Sequence, residues 1–227
     1  MTYEATRERL ETYFDRTASR TWERLTSDAP VSRIRQTVRE GRDTMRAELL
    51  SILPVDLSGA RVLDAGCGAG QMAIELAERG ADVVATDISP SLLEVAARRT
   101  PEHLAHKIEY RAGDMLDPSL GRFNAAIAMD SLIHYSAGDI ASAVGGLASR
   151  LDGGPLAFTI APRTSLLVAM WWAGKAFPRG DRSPAIQPHR PTTIADELRN
   201  SRFSTRLIER KRVNCGFYIS QAMEARG

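Results

Sequence analysis

Cysteine is scarce: the chain has two in 227 residues, Cys67 and Cys215, far apart and in no metal-ligand spacing. That excludes a disulfide framework and a structural zinc cluster, and leaves Cys67 as a small loop residue and Cys215 as a small apolar one. Long apolar runs are missing too. No segment approaches the ~20 residues a bilayer-spanning helix needs, and residues 1–25 carry Arg, Glu and Asp throughout, unlike a leader peptide. The expected location is therefore the cytoplasm. Internal repeats, low-complexity tracts and nucleic-acid module signatures are also lacking, so no nucleic-acid partner is expected. Net charge is small, +2, but unevenly spread: residues 51–159 hold 8 basic and 14 acidic side chains, residues 160–227 hold 12 and 5. A C-terminal basic excess suits an anionic membrane surface, an anionic substrate or simple solvation.

A length of 227 residues accommodates one α/β domain with additions, not two full-size domains and a linker. About fifty charged, helical-pattern residues come first, with Tyr13-Phe14 and Trp22 among them. A break at Asp28-Ala29-Pro30 precedes a second helix expected over Ser32 to Leu53. Strands are then expected at Arg61 to Ala65, Asp82 to Asp87, Ile108 to Ala112, Phe123 to Met129 and Gly154 to Ile160, alternating with helices. Such alternation implies a mostly parallel sheet in three layers. Beyond Pro162 lie an apolar segment from Leu166 to Phe177, a Pro- and Arg-containing loop to Pro191, a helix over Thr192 to Ser201, and two closing strands, Phe203 to Lys211 and Cys215 to Met223. The domain reading is an N-terminal helical arm over 1–56 and one α/β domain over 57–227, with an insertion at 162–191.

Chemistry concentrates at the strand ends. The first strand runs into Asp64-Ala65-Gly66-Cys67-Gly68-Ala69-Gly70, and the second ends on Asp87-Ile88. Glycines allow a tight turn and close approach to a ligand, and the following helix aims its free N–H groups at that ligand. The dinucleotide fingerprint would need a further Gly, but Gln71 fills the slot. GxGxG after Asp64 instead resembles the first motif of S-adenosylmethionine (SAM) methyltransferases. In that fold Asp87 accepts both ribose hydroxyls, the third loop places Asp114 at the adenine amine with Met115 over the ring, and Met129 ends the fourth strand beside the cofactor. Asp114 as a turn former is the alternative reading.

Tyr13-Phe14 with Trp22, the Asp64 loop, Asp87-Ile88-Ser89, Leu132-Ile133-His134-Tyr135 and Ala161-Pro162-Arg163-Thr164 together resemble the magnesium-protoporphyrin IX methyltransferases of bacteriochlorophyll synthesis. One departure is Leu25-Thr26, where that family tends to carry a Tyr. The resemblance implies a seven-stranded, Rossmann-like sheet with its last strand antiparallel, and methyl transfer from SAM to a porphyrin propionate. No protein metal site is implied, because magnesium arrives in the substrate. His134 and Tyr135 become the catalytic candidates, as orienters of the carboxylate and the macrocycle; the alternatives are a backbone-bonded structural histidine and a core tyrosine. Tyr13, Trp22, Arg163, Trp171 and Trp172 are the implied substrate contacts. The apolar segment with Trp171-Trp172, beside Lys175, Arg179 and Arg182, serves as a lid, a membrane contact or plain core, and the lid is favoured. The second propionate would meet Arg163, Arg179 or Arg182. A chelatase subunit delivering porphyrin is a conceivable partner, and a quinone-precursor methyltransferase or a non-catalytic porphyrin carrier are the other functions open.

Overall fold

Short apolar runs bounded by glycine or charge become strands. In a computed structural model that describes residues 2–15, 33–165, 167 and 185–227, the parallel strands are β1 (Arg61–Ala65), β2 (Asp82–Asp87), β3 (Ile108–Ala112), β4 (Ala125–Ala128) and β5 (Leu156–Ile160). The first three keep the bounds expected from sequence. β4 is shorter than the expected Phe123 to Met129, with Phe123 forming only an isolated bridge to Leu151. The last two strands, β6 (Arg206–Cys215) and β7 (Tyr218–Arg226), form an antiparallel hairpin, and β7 inserts between β5 and β6. Strand order is therefore β3-β2-β1-β4-β5-β7-β6, with β7 antiparallel to β5.

The hairpin turns later than the sequence reading placed it. Cys215 ends β6 rather than opening the last strand, because the left-handed position that reverses the chain falls on Gly216, at φ 58°.

The helices that flank the sheet include α1 (Tyr3–Tyr13), α2 (Arg33–Leu50), α3 (Gln71–Glu78), α4 (Pro90–Arg99), α5 (Ala137–Ala148) and α6 (Pro191–Arg199). Side-chain caps start several of them. Thr2 accepts from the Ala5 N–H, Ser89 from Leu92 and Ser136 from Asp139. Alternation along the strands divides the core in two. Leu63, Val84 and Phe158 face α5, α6 and Leu10 of α1, whereas Val62, Val83 and Ile127 face α2 and α3. On α2 the residues Met45, Leu49 and Leu50 are wholly buried against the sheet. Parallel packing brings the carboxyl ends of β1 to β5 to one edge, where ligands of such sheets bind. Among the described residues no helix is long and apolar enough to cross a membrane.

Candidate active site

The glycine loop is tied to its neighbouring strand before any ligand is considered. Gly66 and Cys67 both donate backbone N–H bonds to the Thr86 carbonyl, at 2.8 and 2.9 Å. Gly66, at φ 80°, lies so near Ser131 that a Cβ there would stand 2.5 Å from the serine Cβ. The Asp87 carboxylate accepts N–H bonds from Gly68 at 2.8 Å and Ser89 at 2.9 Å. Burial raises its pKa, and the N–H groups of Ser89, Gly68 and Ile88 oppose that rise. Asp64 is 1% exposed, and burial followed by repulsion from Asp87 pushes its carboxyl up to about 7. Its Oδ2 has no hydrogen-bond partner in the protein. Burial and these two acids also push the Cys67 thiol well up, so it stays protonated.

These groups open onto a cavity of about 290 Å³. Of the expected cofactor residues, Asp64, Gly66, Cys67, Gly68, Asp87, Ile88, Asp114, Met115 and Met129 line it. Gly70 does not; it is the N-cap of α3, where a Cβ would collide with Ala96 and the Tyr110 hydroxyl. Both expected catalytic residues line the cavity as well. His134 is buried, with Nδ1 3.4 Å from the Ala185 carbonyl and its ring edge toward Phe14. Tyr135 stacks on Tyr3 at a centroid distance of 4.8 Å, and burial raises the pKa of both phenols. Backbone bonds anchor this wall. Gln187 donates to the carbonyls of Ile133 and His134, and His189 Nε2 lies 2.9 Å from the Tyr135 carbonyl.

The substrate candidates fare differently. Tyr13 is half-buried and packs edge-on to Phe14, and it is Phe14 that faces the cavity. Arg163 is exposed and apart from the cavity lining, its N–H bonded to the His189 carbonyl. Trp22, Leu25-Thr26, Trp171, Trp172, Lys175, Arg179 and Arg182 lie outside the described residues.

Two clusters escaped the sequence reading. At the β3 end, the Asp114 carboxylate accepts from the Tyr3 hydroxyl at 2.8 Å, from Arg7 Nη1 at 2.9 Å and from the Leu116 N–H at 2.9 Å. An adenine amine reaching Asp114 would join or displace donors from α1. At the β4 end, Asp130 has φ 56°, the one non-glycine positive φ among the described residues, a conformation costing about 1–3 kcal/mol. Its N–H donates to Thr159 Oγ1 at 2.7 Å, and its carboxylate accepts from the Tyr218 hydroxyl at 3.0 Å and from Arg42 at 2.5 Å. The available signals were an acid two residues past β4 and the helical spacing of Val38, Arg42 and Arg46, all of which line the cavity. No group of His, Cys, Asp and Glu suited to a metal occurs among the described residues.

Residues 128–227 match the family model described as magnesium-protoporphyrin IX methyltransferase C-terminus, and residues 62–154 match a methyltransferase domain. A magnesium-protoporphyrin O-methyltransferase of Rhodobacter capsulatus is 52% identical over 225 residues, covering 99% of this chain and 98% of that protein. The chain belongs to the magnesium-protoporphyrin O-methyltransferase family. A family member from Synechocystis is 29% identical over 94% of this chain and 93% of its own length. The crystal structure of magnesium protoporphyrin IX methyltransferase from Synechocystis PCC 6803 with bound SAH aligns at a TM-score of 0.80 and 28% identity, covering 97% of this chain and 99% of that one. By contrast, likeness to a ubiquinone biosynthesis O-methyltransferase of Methylocella silvestris, 45% identical, spans 36% of this chain. Similarity to the magnesium-protoporphyrin family runs the whole length, whereas similarity to the quinone enzyme is local.

Proposed function

We propose that this chain transfers the methyl group of SAM to one propionate carboxylate of magnesium-protoporphyrin IX, giving the monomethyl ester in (bacterio)chlorophyll biosynthesis. The observation that carries the reading is one continuous cavity joining the acids at the ends of β1, β2 and β3 to the His134–Tyr135 wall. The residues fit SAM: Asp87 is a carboxylate held by two backbone donors at the cavity, suited to a ribose diol, and the unpartnered Asp64 Oδ2 suits a cation. When bound, SAM supplies an electrophilic methyl on sulfur. A propionate is already ionised at pH 7, so the protein removes no proton. Its work is to align carboxylate oxygen, methyl and sulfur within about 3 Å in a dry site. His134 orients the reacting carboxylate, whereas Tyr135, 1% exposed and stacked on Tyr3, is the core tyrosine that backs this wall rather than a stacking surface for the macrocycle.

Residues 1–56 act in this proposal as an arm, supported by Tyr3, Leu10 and Phe14 of the arm lining the cavity, with 57–227 as the catalytic domain and 162–191 covering the substrate. We place the enzyme in the cytoplasm, receiving porphyrin from a magnesium chelatase subunit and touching membrane peripherally through its basic C-terminal third. Co-sedimentation with anionic vesicles and pull-down by that subunit test the two contacts. For the activity, purified protein is incubated with methyl-labelled SAM and, in separate reactions, a magnesium porphyrin, a metal-free porphyrin or a quinone precursor. Label in a magnesium-porphyrin monoester is expected; label in a quinone precursor, or in no acceptor, overturns the reading.

A further inference from the structure

Gly41 lets α2 descend onto β7, since a Cβ there would stand 2.6 Å from Tyr218 Cδ1. That approach sets the next residue, Arg42, against Asp130 at the cavity wall. Asp130 is in turn held by the hydroxyls of Tyr218 and Thr159. Elements from four parts of the chain thus position one guanidinium. Stability is a poor explanation, because the desolvation of a buried ion pair offsets much of its attraction. Location is a better one. The nucleoside-facing acids sit at the ends of β1, β2 and β3, whereas Arg42 and Asp130 sit toward β4, β5 and β7, on the acceptor's side of the sheet.

The acceptor of the proposed reaction carries two carboxylates. Pairing the reacting one with a guanidinium would blunt its nucleophilicity, so the cation is best spent on the other. A guanidinium has five donors, enough to hold Asp130 and a ligand carboxylate together. We propose that Arg42 anchors the acceptor's non-reacting carboxylate, and that Asp130, Tyr218 and Thr159 are positioning residues for it. This inference rests on the methyl-transfer reading, and it gives α2 the second-propionate role that the sequence offered to Arg163, which is exposed, or to Arg179 or Arg182, which lie outside the described residues.

The test titrates wild type, Arg42→Met, Arg42→Lys and Asp130→Asn with magnesium-protoporphyrin IX and with the monoester blocked at the non-reacting propionate, following the Soret band and, in parallel, KM and kcat. Arg42→Met should weaken diacid binding at least tenfold and raise its KM while leaving the blocked monoester within twofold of wild type. Arg42→Lys, which keeps charge but loses the fork, and Asp130→Asn, which keeps the arginine but frees it, should fall between. Equal loss toward both acceptors, or no loss toward either, overturns the proposal. If the methionine variant does not fold, the lysine variant decides by the same comparison, its folding checked by unchanged SAM affinity. A wild-type protein that prefers the diacid through Arg42 yet never methylates it would keep the anchor and overturn the reaction.

Discussion

Asp64 makes the unliganded protein sensitive to pH in a direction that can be worked out. With its carboxyl pushed up to about 7 from an ordinary 3.8, holding it ionised at about pH 8 costs roughly 4 kcal/mol, at about 1.4 kcal/mol per pH unit. Between those two values the folded chain keeps a proton that the unfolded chain has lost. Stability from this group therefore falls as pH rises from about 4 to about 7 and is level above that. Asp64→Asn keeps an acceptor for the Ala73 N–H, which bonds the native carboxylate, and has no charge to desolvate. Unfolding free energies from urea titration should match for the two proteins near pH 4 and diverge in favour of the variant by up to about 4 kcal/mol at about pH 8. Ligand binding reverses the sign. A sulfonium or ammonium beside the carboxylate favours its ionised form, so SAM should displace roughly three-quarters of a proton at about pH 6.5, measurable by calorimetry in two buffers of different ionisation enthalpy. Parallel stability curves for the two proteins, together with no proton release, would refute the argument.

Asp87→Ala removes the proposed ribose acceptor, and SAM affinity should drop about 30- to 150-fold, or roughly 2–3 kcal/mol; unchanged calorimetric affinity in a folded variant would reject the assignment. His134→Ala should lower turnover sharply with SAM affinity nearly constant, and normal turnover would make the residue structural. Gly66→Ala meets both an unfavourable φ and Ser131, so a loss of about 2–5 kcal/mol is expected. Its Ser131→Gly double variant should recover only the steric share; full recovery in thermal melts would show that the backbone angle is unimportant.

What sequence revealed and what it hid follow from separation along the chain. β1, β2 and the glycine loop are contiguous, and each acid follows directly from the apolar run that places it, so Asp64, Asp87 and Asp114 could be read in order. Local composition also located β3 to the residue. The Arg42–Asp130–Tyr218 cluster joins partners 88 residues apart in both directions, and Tyr3 reaches Asp114 across 111. No short-range pattern encodes such contacts. The hairpin was misplaced for a different reason. β6 alternates weakly, is mostly exposed, and carries an irregularity between Glu209 and Arg212, so period-2 reading lost its place until Gly216.

The position of β7 has a consequence for synthesis. A ribosome delivers β5 some sixty residues before the strand that must pair with it, since Leu156 meets Ala225 and Ile160 meets Gln221. Until then β5 is an uncovered edge, open to pairing with other nascent chains. The same late segment brings Tyr218, which braces Asp130, and Ile219 and Ser220, which wall the cavity. A chain stalled before β7 therefore has the acids at the β1 to β3 ends but lacks the β7 wall of the cavity. Partial translation products that stop before β7 should accumulate as aggregates that never bind porphyrin.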